Sequence, residues 1–238
     1  MDEGVHESTE PDVPAAQAIE ERDWVLLAMG FTRILWSIPL GLMLFTGMIS
    51  VRLTQFFQLP SYVLGGVLYF WGIITLTRVH GLSAAWRRFL MLGVFLAFLL
   101  FYFGPFVFWW MRRPATDHFA INLFGLAFSF IWLLWVVNRL AEEVAARLGD
   151  VVFIIETRLC RWSVVGFMGL PLLVYTSYVT LSAARLDQPL STLILDLRYI
   201  PYIHWIFAAI ILPLTLTLTI LWKTRQCALR QLVPAGSR

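Results

Sequence analysis

The uncharged stretch Phe89–Met111 constrains the fold of this chain more than any other segment. It holds 23 residues without a formal charge and is bounded by Arg87-Arg88 on one side and Arg112-Arg113 on the other. At about 1.5 Å per residue, a helix of this length covers roughly 34 Å, against about 30 Å for the hydrocarbon core of a bilayer. The sequence therefore predicts a transmembrane helix in the middle of the chain.

The composition extends this prediction to the whole chain. The 238 residues are 59% hydrophobic and 14% charged, and the mean hydropathy is +0.75. A soluble domain of this size does not bury that much apolar surface. We therefore predict an all-α protein, a polytopic bundle of transmembrane helices.

The pattern of apolar segments predicts about six spans within residues 24–223. Arg33 interrupts the first apolar run, so we place Trp24–Thr32 at the inner interface and begin the first span at Ile34. Residues 1–23 are acidic and predict a disordered tail, and residues 224–238 form a short basic tail. The predicted spans are 34–51, 61–77, 89–111, 119–137, 162–181 and 199–222.

The segment 139–161 differs from the spans because it is amphipathic. Gly149 and Asp150 have the residue types of a helix C-cap and a helix N-cap, so the segment predicts a cytoplasmic helical hairpin. We expect its two arms to face each other, with Leu140, Val144 and Leu148 against Val152, Ile155 and Leu159. The candidate partner surface of this hairpin is Leu140, Val144, Arg147, Leu148 and Arg158.

Polar side chains mark one face of the fourth span. Their 4-3-4 spacing stacks them along one side of a helix, which predicts a face turned toward protein rather than lipid. The members of this face are His118, Asn122, Gly125 and Ser129. A second hypothesis groups residues at the outer ends of spans as ligands of a metal or haem: Asp117, His118 and His204.

One pair of short motifs resembles the membrane-embedded CAAX-processing glutamate proteases. Glu142-Glu143 and Arg147 match the EExxxR form, and His118 and Asn122 match the HxxxN form. In that family the glutamate motif comes first, whereas here the histidine motif comes first and a span of about 30 Å separates the two. We therefore interpret Glu142, Glu143 and Arg147 as a solvated helix face.

The distribution of basic residues predicts the orientation. With both termini in the cytoplasm, 13 of the 18 basic residues lie inside and 5 lie outside, which follows the positive-inside rule. The basic residues stand at the ends of apolar segments, so we interpret them as topology signals rather than as a nucleic-acid surface. The five outer residues are Arg52, Arg112, Arg113, Arg185 and Arg198.

The function suggested by these features is that of a non-enzymatic subunit, scaffold or assembly factor in a bacterial cytoplasmic membrane. The sequence shows no catalytic signature and predicts no metal or cofactor. We expect membrane lipid, another membrane protein or a second copy of the chain as partners, and no nucleic acid. Two alternatives stay open: a facilitator or channel for a small neutral or lipid-like solute, and a lipid-modifying membrane enzyme that uses His118 and His204.

Overall fold

The structure is a computed structural model that describes residues 20–46, 55–80, 82–113, 116–186, 189–190 and 203–232. Within these ranges the regular elements are all helical, and no strand occurs among them. The all-α prediction is therefore confirmed. The helices are α1 (Glu21–Thr46), α2 (Gln55–Thr77), α3 (Ala84–Arg112), α4 (Asp117–Leu148), α5 (Val151–Val164), α6 (Leu170–Leu186) and α7 (Ile203–Leu232), with a π-helical segment, Val165–Gly169, between α5 and α6.

Five helical stretches are long and apolar enough to cross a membrane, which indicates an integral membrane protein. The predicted sixth span, 199–222, overlaps α7, and its residues 199–202 lie outside the described part of the chain. A sixth crossing therefore stays a prediction. The five stretches are Glu21–Met43, Pro60–Thr77, Ala84–Trp110, Asp117–Leu148 and Val151–Leu186.

The two ends of the helical region differ from the predicted boundaries. The first helix begins at Glu21 and passes Arg33 without a break. The charge of Arg33 is tolerated there because the guanidinium donates a hydrogen bond to Thr75 Oγ1 and stacks on the Trp71 ring at 4.2 Å. At the other end α7 continues to Leu232, so most of the segment predicted as a basic tail is helix.

Small residues bring α1 and α2 into close contact. A Cβ atom added at Gly65 would lie 2.8 Å from the backbone nitrogen of Gly41 and 2.9 Å from the carbonyl oxygen of Ser37. One at Gly72 would lie 3.0 Å from the carbonyl oxygen of Gly30. The two backbones therefore touch at two points along the seam, and only glycine fits at the crossing.

Long continuous helices form both arms of the segment predicted as a hairpin. The fourth helix runs unbroken to Leu148, and α5 continues through the π segment into α6, where Pro171 has no N–H to extend the regular ladder. The predicted caps are confirmed: Gly149 has φ 69°, and the Asp150 side chain accepts a hydrogen bond of 2.9 Å from the Phe153 amide. The arms are therefore extensions of the fourth and fifth predicted spans.

Polar contacts join six helix ends at one end of the bundle, which we call the charged end. Asp23 on α1 accepts a hydrogen bond of 3.0 Å from the amide of His80, which follows α2. Ser83, the N-cap of α3, donates one of 2.9 Å to Glu143 at the end of α4. Lys223 near the end of α7 pairs with Glu156 on α5. These contacts place the start of α1, α3 and α5 beside the end of α2, α4 and α7.

Candidate functional site

A buried carboxylate, Glu142, lies at the centre of the charged end. The residue is 3% exposed, and three arginines surround it. Arg139 precedes it by one turn of α4 at 3.0 Å, whereas Arg161 at 2.6 Å and Arg158 at 3.4 Å come from α5. A carboxylate loses its hydration on burial, so it needs several charged donors to remain stable. We call these four residues, together with Glu143, the ionic cluster.

The tight turn between α4 and α5 accounts for this arrangement. Because the chain reverses at Gly149-Asp150, residues equally distant from the turn lie side by side on antiparallel helices, which brings Arg158 opposite Glu142. Arg161 lies one turn further along α5, where its guanidinium also faces the Trp135 ring at 5.5 Å. The local sequence thus supplies both the turn and the charges.

Glu143 extends the ionic cluster toward α3. Its carboxylate pairs with Arg139 at 2.6 Å and accepts the hydrogen bond from Ser83 described above. Arg139 in turn faces the ring of Phe89 at 5.4 Å. One arginine therefore bridges two carboxylates on its own helix and contacts the neighbouring helix, which connects α3 with the hairpin.

A polar seam continues from the ionic cluster into the bundle. Asn138 is fully buried, and its amide nitrogen donates hydrogen bonds of 2.9 Å to the Leu134 carbonyl and to Thr217 Oγ1 on α7. The Sγ atom of Cys160 on α5 lies 3.6 Å from the same Thr217 oxygen. Three helices therefore meet around one hydroxyl group, and this fixes their rotation about their own axes.

The ionic cluster holds α4 and α5 together through ion pairs. Three arginines and two glutamates give a net charge of +1, and both oxygens of Glu142 face guanidinium groups. Arg158 is the open element of the cluster, because 58% of its side chain is exposed. The cluster thus joins α4 to α5 and presents one cation outward.

The interpretation of Glu142 as part of a solvated face is wrong. Glu143 is also mostly covered, with a side chain 14% exposed. About 24 residues of α4 separate Glu142 from His118, or roughly 36 Å, so the two motifs do not form one site. The cluster had a sequence signal, since a turn at Gly149-Asp150 already pairs position 142 with position 158.

The candidate partner surface is divided by the structure. Leu140 and Val144 are fully buried in the bundle core, Arg147 and Leu148 are half-buried, and Arg158 is exposed. The predicted zipper between the arms is wrong, because the α5 residues assigned to it point outward and are 60–69% exposed: Val152, Ile155 and Leu159. The α5 residues that face the bundle are Phe153, Thr157, Cys160 and Val164.

The polar face of the fourth span is partly buried, and its buried polar side chains form hydrogen bonds within their own helix. Asn122 and Ser129 are buried, and they donate hydrogen bonds of 2.7 Å to the carbonyls of His118 and Gly125. A Cβ atom at Gly125 would lie 2.7 Å from the end of the Phe103 ring, so this position is in close contact with α3.

The candidate ligands Asp117, His118 and His204 are only partly described. His118 is exposed and its ring lies 5.4 Å from that of Phe106. Asp117 lies in the first turn of α4, and the side chain of His204 lies outside the described residues. No group of three His, Cys, Asp or Glu side chains suited to a metal occurs in the described part of the chain. A ligand site formed by these three residues stays a prediction.

A small cavity lies between α1, α2, α3 and α4. Its volume is about 60 Å³, and its walls include Ser37, Gly65, Tyr69 and Leu133. The Tyr69 hydroxyl is buried in this wall without a hydrogen-bond partner among the described residues. The cavity has room for a few water molecules but lies far below the roughly 300 Å³ of ordinary ligand pockets.

Comparison of the chain with protein-family models, curated proteins and solved structures found no match.

Proposed function

We propose that this chain is a multi-pass, non-enzymatic subunit, scaffold or assembly factor of a membrane complex, with both termini in the cytoplasm. Its partner contacts an apolar stripe on α5, defined here as Val151, Val152, Ile155 and Leu159. The observation that carries the proposal is the position of this stripe, which is 60–69% exposed at the level of the charged end.

The level of the stripe follows from contacts on the other faces of α5. Arg158 and Arg161 pair with Glu142, and Glu156 pairs with Lys223. These charged residues alternate along α5 with the stripe, so both occupy the same height. Lipid chains cover exposed apolar side chains in the hydrocarbon core, but not among headgroups or in water. At the level of the charged end, the exposed stripe is therefore covered by a protein partner.

The length of the helix supports the same position. Val151–Leu186 holds 36 residues and is about 54 Å long, against about 30 Å of hydrocarbon. With the predicted span 162–181 in the hydrocarbon, α5 projects roughly 16 Å into the headgroup region and cytoplasm. Because α5 continues directly into α6, it does not lie flat on the membrane surface.

The chemistry of the partner follows from the stripe and its neighbour. An amphipathic helix with an apolar row fits the exposed Ile155 and Leu159, and an acidic side chain on it pairs with the open guanidinium of Arg158. Only 17% of the Val151–Leu186 window is buried inside the structure, against 44% for Asp117–Leu148. Among the five stretches compared, Val151–Leu186 therefore offers the largest uncovered share of its surface to another membrane protein.

The test is a pair of matched double variants on one helix. Ile155→Ser with Leu159→Ser alters the stripe, and Leu170→Ser with Val174→Ser alters two residues of similar exposure, 58% and 60%, in the predicted hydrocarbon zone. Tagged proteins are purified from cells in mild detergent, and the co-purifying proteins are quantified by mass spectrometry. We expect a stoichiometric partner that is lost from the first variant and kept by the second.

A photo-crosslinking residue at position 155 or 174 provides the second readout. We expect a protein adduct from position 155 and mainly lipid adducts from position 174. If both double variants retain the same co-purifying set and position 155 yields no protein adduct, the scaffold proposal fails.

The orientation is tested separately, with a reporter that is active only in the periplasm. Fused after Arg238, it should be silent if the C-terminus faces the cytoplasm, as the 13-to-5 distribution of basic residues favours. Activity of that fusion would require an odd number of spans.

A further inference from the structure

We infer that the groove between α1 and α7 at the charged end is a binding site for the phosphate of an anionic phospholipid. Arg33 and Arg225 line this groove together with Ala28, Met29, Thr32 and Leu229, and its volume is about 300 Å³. The groove is a shallow depression that is open to its surroundings rather than an enclosed pocket. The groove is separate from the ionic cluster, and no residue of the cluster lines it.

The residues of the groove come from antiparallel helices. The start of α1 and the end of α7 both lie at the charged end, so the two helices run in opposite directions. Each helix therefore contributes two residues one turn apart, which line the groove at two successive levels, or steps. These residues are Met29 and Arg33 on α1, and Arg225 and Leu229 on α7. In this arrangement Arg33 and Arg225 lie at one step, and Met29 and Leu229 lie at the other, nearer the charged end.

Both arginines lack an acidic partner in the structure. Within the described residues, neither Arg33 nor Arg225 has a carboxylate oxygen within 4.0 Å, whereas three arginines of the ionic cluster share two carboxylates. The acidic residue Asp23 in the first turn of α1 lies ten residues before Arg33, about 15 Å along the helix. Two like charges in one groove repel each other, and a bound anion turns that repulsion into attraction.

The two guanidinium groups are oriented by neighbouring groups and keep free donors. Arg33 uses one N–H on Thr75 Oγ1 and stacks on Trp71, which leaves four of its five N–H groups. Arg225 faces the ring of Trp222 at 4.9 Å. The Thr32 hydroxyl donates to the Ala28 carbonyl at 2.6 Å, so it offers the ligand only an acceptor. The anion is therefore held by the arginines, whose fork geometry matches phosphate oxygens.

The surroundings favour a lipid over free phosphate. Trp71 and Trp222, which face Arg33 and Arg225, are 54% and 50% exposed, and Met29 in the groove is 49% exposed. Exposed tryptophans and an apolar wall are typical of the membrane interface, where the headgroup of a lipid meets its acyl chains. A phosphodiester between the arginines directs its acyl chains away from the charged end, past Trp222, which lies one turn before Arg225 on α7. An inorganic phosphate ion makes no use of this apolar surface.

The test uses full-length protein in detergent with phosphatidylglycerol or phosphatidylcholine of identical acyl chains, and native mass spectrometry measures the bound lipid. A basic residue near a membrane surface contributes about a fivefold change in anionic lipid affinity. Arg33→Gln with Arg225→Gln should therefore weaken phosphatidylglycerol binding roughly 25-fold and leave phosphatidylcholine binding unchanged. Arg225→Gln alone, which keeps the Arg33 contacts, should weaken it about fivefold.

The matched control removes two exposed charges from the same end of the bundle, with Arg87→Gln and Arg88→Gln. This control should bind phosphatidylglycerol within about twofold of the wild type, and Arg33→Lys with Arg225→Lys should retain part of the affinity. Equal weakening in the control variant, or unchanged binding in the Arg33 and Arg225 variant, overturns the site. Displacement of the lipid by inorganic phosphate at equal concentration overturns the assignment to a phospholipid.

Discussion

Glu142→Gln removes the carboxylate that holds Arg139, Arg158 and Arg161 together at the charged end. The substitution keeps the size of the side chain and its ability to accept hydrogen bonds. Its effect on stability therefore measures the loss of the negative charge. Arg161 is most affected, because its side chain is 12% exposed and Glu142 is its ion-pair partner. Arg139 keeps Glu143, and Arg158 is largely in solvent.

The magnitude follows from the pairs that are buried. Removing one partner of a buried ion pair costs about 3–5 kcal/mol, because the other charge stays buried without compensation. Only Arg161 meets that condition fully, so we take the lower value of about 3 kcal/mol. For a chain of this length, 1 kcal/mol corresponds to roughly 2–4 °C in Tm, so Glu142→Gln should lower the apparent Tm by roughly 6–12 °C. Arg158→Gln, at an exposed position, should cost at most about 1 kcal/mol.

The assay uses a thiol of the protein itself. Cys160 is 2% exposed and becomes reactive only when the bundle opens, so a fluorogenic maleimide reports unfolding in a Cys227→Ser background. The scan rate is held constant because unfolding of membrane proteins in detergent is commonly irreversible. The paired variant Glu142→Gln with Arg161→Gln removes both charges, and it should be less destabilised than the sum of its two single variants. A decrease in apparent Tm of less than 2 °C for Glu142→Gln would refute this stabilising role of Glu142. So would a Tm decrease in the paired variant equal to the sum of those in the two single variants.

Three further predictions use detergent-purified protein, the first two in the Cys227→Ser background and the third with Cys227 retained. Gly65→Ala should lower the apparent Tm, since the added Cβ meets backbone atoms at a cost of about 1–3 kcal/mol, whereas Gly166→Ala, with no atom within 4 Å of its Cβ position, should leave it unchanged or raise it slightly. Gly125→Leu should destabilise by about 1–3 kcal/mol, because the added side chain meets the Phe103 ring. Asn122→Leu should cost less than about 1 kcal/mol, because the hydrogen bond that it removes runs to the His118 carbonyl of the same helix. Equal tolerance of both would contradict the packing of that face. Burial raises the pKa of the Cys227 thiol, so its thiolate fraction at pH 7 lies below that of an ordinary cysteine, and maleimide labelling of folded protein should accelerate more than for a free cysteine between pH 7 and pH 9.

The class of the protein follows from the sequence, because lipid allows few backbone structures. An uncharged run as long as Phe89–Met111 has to satisfy its peptide groups internally, and a helix does this without help from neighbouring segments. The caps at Gly149 and Asp150 are equally local, since a left-handed residue and a side-chain acceptor depend on a few adjacent positions. Both features were therefore predictable without a fold.

Only some of the helix ends were predictable. The Gly149 cap predicted that the fourth helix continues past its span to Leu148, but the contacts of its last charged turns with α3 and α5 became apparent only in the structure. In the same way Arg33 appeared to interrupt the first span, and only a contact with Thr75, more than 40 positions away in the chain, shows how the helix accommodates it.

The tertiary structure alone decided which face of each helix is buried. On α5, one row contains Phe153 and Cys160 and another contains Ile155 and Leu159, and hydropathy does not choose between them. The choice depends on the rotation of the helix about its axis, which is fixed by Cys160 against Thr217 and by Arg161 against Glu142. These partners lie on other helices. A sequence pattern specifies faces relative to each other within one helix, but only packing against neighbouring helices determines which face turns inward.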